Sequence, residues 1–162
     1  MVAEQSTNLE KLTPSRKPVR AGDVFALGIG GRYFHGRVVS TEADVGMSAP
    51  AILAYVFETP SAEPGRYRDA DLLPDRLLIP PFMVNRLPWS RGYFQTVAHR
   101  PLGPGEVLAQ HCFHRLADGN WYDEHGAELP ERVEPCGVRA LSSHRSVDDK
   151  VSARLGLPLA AD

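Results

Sequence analysis

The stretch IPPFMVNRLPWSRGYFQTV, Ile79 to Val97, decides how the rest of the chain must fold. It holds three prolines and five large aromatic or sulfur-bearing side chains, Phe82, Met83, Trp89, Tyr93 and Phe94, against two charges, Arg86 and Arg91. Proline fixes φ and removes a backbone donor, so Ile79-Pro80-Pro81 and Leu87-Pro88 are predicted as extended or turning chain, with regular helix excluded around them. An irregular aromatic crossing of this kind loses much chain entropy on folding. It recovers that loss only by burying its side chains against something solid.

The flanking sequence offers sheet as that support. Upstream, AILAYVFE (Ala51 to Glu58) is an almost continuous apolar run, predicted as a central strand. Asp69 to Leu78 is predicted as a short helical turn interrupted at Pro74, followed by a strand into Ile79. Downstream, Arg91 to His99 reads as a strand. Further out, Asp23 to Ile29 and Arg32 to Ser40 flank Gly30-Gly31 and form a predicted hairpin. Alternation places Phe34, Gly36 and Val38 toward the core, with Tyr33, His35, Arg37 and Val39 on the other face. Glu106 to Leu116 and Trp121-Tyr122 form a second predicted hairpin about Asp118-Gly119. Val133 to Leu141 contains Pro135 and reads as an edge strand. At the end, Ser146 is the expected N-cap of a helix with Val147, Val151 and Leu155 on one stripe, Lys150 and Arg154 in water, and Gly156 as the stop.

These elements give an α+β domain, mostly antiparallel sheet curled toward a small barrel, with a C-terminal helix. The chain has 162 residues, enough for one domain with its own core. We expect a loose tail over residues 1–20, one domain over 21–158 and a short tail over 159–162. The formal net charge of −2 and pI near 6.3 make no case for nucleic acid. No apolar stretch approaches membrane-spanning length, and the first ten residues lack a secretory pattern, so a cytoplasmic protein is expected. In a reducing compartment Cys112 and Cys136 are expected as buried thiols.

Two constellations could carry chemistry. The first is His111, Cys112 and His114 with Asp123, Glu124 and His125 across the second hairpin, a pool of ligands for a metal-dependent hydrolase. Its spacing matches no usual structural zinc pattern, and satisfied core or surface histidines are the favoured reading. No metal or other cofactor is expected. Ser90, Ser142 and Ser143 lack a nucleophile-elbow context, so no catalytic residue is assigned. The second set is Arg86, Trp89, Arg91 and Tyr93, the residue types that dominate protein-binding hot spots. The other reading puts the aromatics of this set in the core.

Four pieces in order resemble the immunity protein 26 family of bacterial polymorphic-toxin systems. They are GDVFALGIGGRYFHGRVVST (Gly22 to Thr41), LLIPPFMVNRLPWSRGYFQTV (Leu77 to Val97), LAQHCF (Leu108 to Phe113) and GNWYDEHGAELP (Gly119 to Pro130). The resemblance runs from about Pro14 to Leu157. It implies a protein that binds and neutralises a cognate toxin domain, with Arg86, Trp89, Arg91 and Tyr93 as contact candidates and a homodimer left open. The same grouping shares its name with a small phosphotriesterase, which implies the alternative of a hydrolase built on His111, Cys112, His114, Asp123 and His125.

Overall fold

Gly30 and Gly31 adopt φ of 61° and 75°, values that L side chains rarely reach. They close the predicted hairpin between β1 (Asp23–Ile29) and β2 (Arg32–Ala43), with Ile29 opposite Arg32. The computed structural model describes residues 6–162. In it, β3 (Ala51–Val56) adds antiparallel to β2, and β4 (Phe82–Val84) adds antiparallel to β3. After β4 comes α1 (Leu87–Ser90), then β5 (Gln95–His99) on the far edge beside β1. A second sheet is built from β6 (Cys112–His114), β7 (Trp121–Tyr122), β8 (Glu128–Leu129) and β9 (Cys136–Val138). The chain then returns to the first sheet as β10 (Leu141–Ser142) and ends in α2 (His144–Leu155). The strand orders are β10-β4-β3-β2-β1-β5 and β8-β7-β6-β9. This is an α+β fold of two mixed, mainly antiparallel sheets with a C-terminal helix, and neither sheet closes into a barrel.

One face of the large sheet carries Phe25, Leu27, Phe34, Val38, Ala54, Val56 and Phe82, and packs against Trp89, Phe94, Val147 and Val151. The central segment and α2 thus share one core. The opposite face is covered as well. Leu53 and Met83 pack against Phe113 of the small sheet, while Val24, Tyr55 and Phe57 pack against Leu72 and, less fully buried, Tyr67 and Leu108. A strand covered on both sides needs apolar residues at every position, which is why β3 lacks alternation. It is also why His35 and Arg37, expected to face away from the core, are only 2% and 1% exposed.

Several local expectations change. A helical turn does form over Leu87–Ser90, because proline is tolerated in the first turn, where its missing donor is not needed, and Asn85 Oδ1 accepts from the Leu87 N–H at 2.9 Å. No strand leads into Ile79. Two short 3₁₀ turns (Asp69–Asp71 and Pro74–Arg76) precede a single bridge between Leu77 and Phe57. The second hairpin turns through a longer loop in which the Gly119 N–H donates to Arg115 O at 2.9 Å. Helix α2 begins earlier than expected, with Ser143 as N-cap accepting from the Ser146 N–H. Asp148, in the first half of α2, is fully buried and accepts from the Asn8 N–H at 2.8 Å and the Ser152 hydroxyl at 3.0 Å.

The expected loose tail over residues 1–20 is replaced, from residue 6 on, by a strap lying on the fold, and its first five residues fall outside the described part. Leu9 is buried, Glu10 bridges to Gly28, and the N–H groups of Leu12 and Ser15 donate to Gly92 O and Trp89 O. Apolar and backbone contacts of this kind leave no pattern in a short polar stretch.

Candidate functional site

The central segment places its four candidates in two environments. Trp89 is 2% exposed and meets Phe25 and Phe94 edge-on, with ring centroids 5.3 and 5.1 Å away. Tyr93 is 4% exposed and stacks on His144 at 4.1 Å. Both belong to the core. Arg86 and Arg91 stand on the surface at either end of α1. The strap crosses α1 here, and the Arg86 guanidinium donates to Arg16 O at 2.8 Å. Lys11, Arg16, Lys17 and Arg20 are exposed along the strap, so its side chains and those of α1 together present six cations. The acids of the same stretch are Glu10, exposed near Gly28, and Asp23, which is buried and held by His99 at 2.7 Å, by the Arg20 N–H and, at 3.7 Å, by the Arg20 guanidinium. A groove of about 790 Å³ lies between the strap and the outer edge of β5, lined in part by Lys17, Arg20, Thr96 and His99.

The residues considered for a hydrolase do not converge. His111 is buried between the two sheets, with Nε2 2.5 Å from the Tyr55 hydroxyl and Nδ1 2.8 Å from Glu124 Oε2. The Leu108 N–H donates to the same Tyr55 oxygen at 3.1 Å. Burial pushes the Tyr55 phenol up to about 12, so it keeps its proton and donates it to Nε2. His111 is therefore a neutral imidazole whose Nδ1–H donates to Glu124. Burial, the largest influence, lowers its pKa against the raising effect of Glu124. The relay from Tyr55 through His111 to Glu124 ties the large sheet to the segments that carry the small one. Cys112 turns instead toward Cys136, His114 packs its ring 6.1 Å from Trp121, and Asp123 accepts from the N–H groups of His125 and Ala127 to shape their turn. His125 is exposed and touches Glu124 at 3.1 Å. Among the described residues no three His, Cys, Asp or Glu are grouped to hold a metal ion.

Sequence reasoning missed a second polar cluster. The buried Arg37 guanidinium lies 3.5 Å from Glu106 and donates to Arg100 O at 3.0 Å, while Arg100 itself donates to Glu106 at 2.7 Å. Burial pushes the Glu106 carboxyl upward, but the Gly103 N–H and the two arginines outweigh it and hold it below the usual range. Nearby, His35 Nε2 lies 2.6 Å from Pro64 O and lines a groove of about 380 Å³ with Tyr67, Arg68 and Asp71. Asp71 is almost buried and takes a two-pronged contact from Arg68 at 3.0 and 3.2 Å. The only sequence signal for this cluster was a histidine and an arginine two residues apart in the middle of β2, between Phe34 and Val38. Glu106 sits in a Gly- and Pro-rich loop with no periodicity to pair it with them.

Comparison with curated proteins and with solved structures returns no match. A family model described as Immunity protein 26 matches residues 20–122. That span is narrower than the resemblance drawn above. It takes in β1 through β7, the central segment and the Arg37–Glu106–Arg100 cluster, and leaves out most of the strap, Glu124 and α2. Because the match covers more than half of the chain and includes the whole hairpin, the central strand and the aromatic crossing, the chain belongs to the immunity protein 26 family.

Proposed function

We propose that this immunity-family protein neutralises a cognate toxin domain by binding it, and that the face built by the strap and α1 makes the contact. The family match over residues 20–122 is the observation that carries the binding reading. The choice of face rests on charge. The chain as a whole is slightly acidic, yet Lys11, Arg16, Lys17, Arg20, Arg86 and Arg91 are all exposed along the strap and at the ends of α1. Such local asymmetry favours an acidic partner surface by steering encounter and fixing orientation. Most of the strap also precedes the family span, where residues are free to serve one partner rather than a shared scaffold. Trp89 and Tyr93 support this face from beneath. The hydrolase alternative is not carried further, since among the described residues no three of its ligand types are grouped to hold a metal ion.

The test is co-expression with the toxin encoded beside this chain, followed by binding measurements with purified proteins. Wild-type protein should protect cells and bind stoichiometrically, with affinity that weakens as salt rises. Arg91→Glu, alone and with Lys17→Glu, should lower affinity roughly 10- to 100-fold while the melting midpoint stays within about 2 °C. Unchanged affinity in the double variant would reject the face. A toxin that stays lethal beside the wild-type chain would reject the function for that pair.

A further inference from the structure

We propose that Cys112 and Cys136 form a dithiol that a low-molecular-weight disulfide oxidises to an intramolecular disulfide within the folded protein. The two residues sit directly opposite one another on the parallel strands β6 and β9, with their sulfurs 3.2 Å apart. Paired strands lie about 4.8 Å apart, within the Cα separation of about 4.4–6.8 Å that a disulfide spans. Strand β9 is held in place from behind, because a Cβ on Gly137 would come within 2.2 Å of Pro81 O. Bond formation therefore needs side-chain rotation and no strand movement. The present contacts of the sulfurs are weak ones. Cys112 donates to Cys136, Cys136 donates to Gly137 O at 3.5 Å, and Cys112 accepts from the Val133 N–H at 3.4 Å.

The order of events follows from exposure. Cys112 is 0% and Cys136 8% exposed, so the reagent meets Cys136 first. The Cys136 thiolate attacks one sulfur of oxidised glutathione, forming a mixed disulfide and expelling one glutathione thiolate. The Cys112 thiolate then attacks the Cys136 sulfur and expels the second. The two cysteines lose two electrons, the reagent gains them, and the two thiol protons end on two glutathione molecules. Burial, reinforced by the contact with Cys112, pushes the Cys136 thiol up to about 12, so the exchange is slow at neutral pH. Once formed, the bond closes the loop containing β7 and β8 and ties the edge strand β9 to β6. Restricting that loop in the unfolded chain should raise the melting midpoint by roughly 5–10 °C.

The full-length reduced protein is incubated with oxidised glutathione at about pH 8, near the ordinary thiol pKa, then acid-quenched, alkylated and digested. The expected product lacks two hydrogens, carries no glutathione, links the Cys112 and Cys136 peptides, and melts at the raised midpoint until dithiothreitol reverses the shift. Cys112→Ala should accumulate glutathione on Cys136, since nothing remains to resolve it, and Cys136→Ala should resist modification. Two thiols still alkylatable after unfolding, a persistent glutathione adduct on the wild-type chain, or cross-linked dimers in place of the internal bond would each overturn the proposal.

Discussion

Trp89 touches Phe25 and Phe94 through ring edges and leaves its indole N–H without a hydrogen-bond partner among the described residues. Its contribution is therefore packing alone, which separates two substitutions that would otherwise look alike. Trp89→Ala opens a cavity between sheet and strap and should cost about 3–5 kcal/mol. Trp89→Phe keeps an aromatic ring and loses no hydrogen bond, so it should cost under about 2 kcal/mol. Urea unfolding of both variants reads the difference, and equal losses would mean that the indole N–H has a partner after all. The sequence left Trp89 open between core and contact surface because residue type alone favours both. Arg37 was less legible still. Its neighbours Phe34 and Val38 face the main core as expected, but the residues that cover Arg37 on the other face, Tyr67, Arg100 and Glu106, arrive from loops that carry no period.

Glycine packing matters most where two elements press together. On β2, a Cβ at Gly36 would stand 2.3 Å from the Phe25 ring and 2.4 Å from Tyr55 O. On β9, a Cβ at Gly137 would meet Pro81 O, backbone that cannot rotate away. Gly137→Ala must therefore push β9 off the start of the aromatic crossing and loosen its three pairings with β6. We expect a loss of about 1–3 kcal/mol, typical of overpacking, with faster amide exchange concentrated in residues 136–142. Exchange raised evenly through the molecule, or not at all, would contradict this picture of β9 as a locally wedged edge. At this scale the elements with strong local signals were readable: the Gly30-Gly31 hairpin, the apolar β3 and the valine stripe of α2. The α2 cap shifted from Ser146 to Ser143 because both serines precede helical sequence, and only the geometry selects which hydroxyl accepts. The one-turn α1 was hidden because proline argues against helix everywhere except in the first turn.

The layers of the molecule meet at histidines. His35 sits beneath the groove on one face of the large sheet, His111 lies between the sheets, and His144 stacks on Tyr93 where α2 meets the aromatic crossing. A stack of strap, helix, sheet and second sheet was not readable from the sequence, because the short strands β6 to β10 hold only two or three residues each and carry no period of their own. Yet this layering gives the whole protein a pH response. Burial is the largest influence on all three imidazoles and lowers each pKa below its ordinary value of 6.5, with Arg91 adding to the effect at His144. The folded state thus binds fewer protons than the unfolded chain. The stability this provides is complete above about pH 6.5 and is lost progressively as pH falls through that value toward the lower folded pKa values. Carboxylates act later. Asp71, held low chiefly by Arg68, and Glu106 lose their contribution only as pH falls below about 4. Thermal melts should therefore show a midpoint that is level above neutrality and declines between about pH 6.5 and 5, before the acids titrate. Protonated His111 would also turn both ring nitrogens into donors. Tyr55 would then have to accept from His111 as well as from Leu108, leaving its own proton unplaced in the interior. His111→Gln, which cannot take up that proton, should melt lower at neutral pH but decline less steeply on acidification. A midpoint unchanged down to about pH 5 in the wild-type chain would mean that the three imidazoles accept protons as readily inside the fold as outside it.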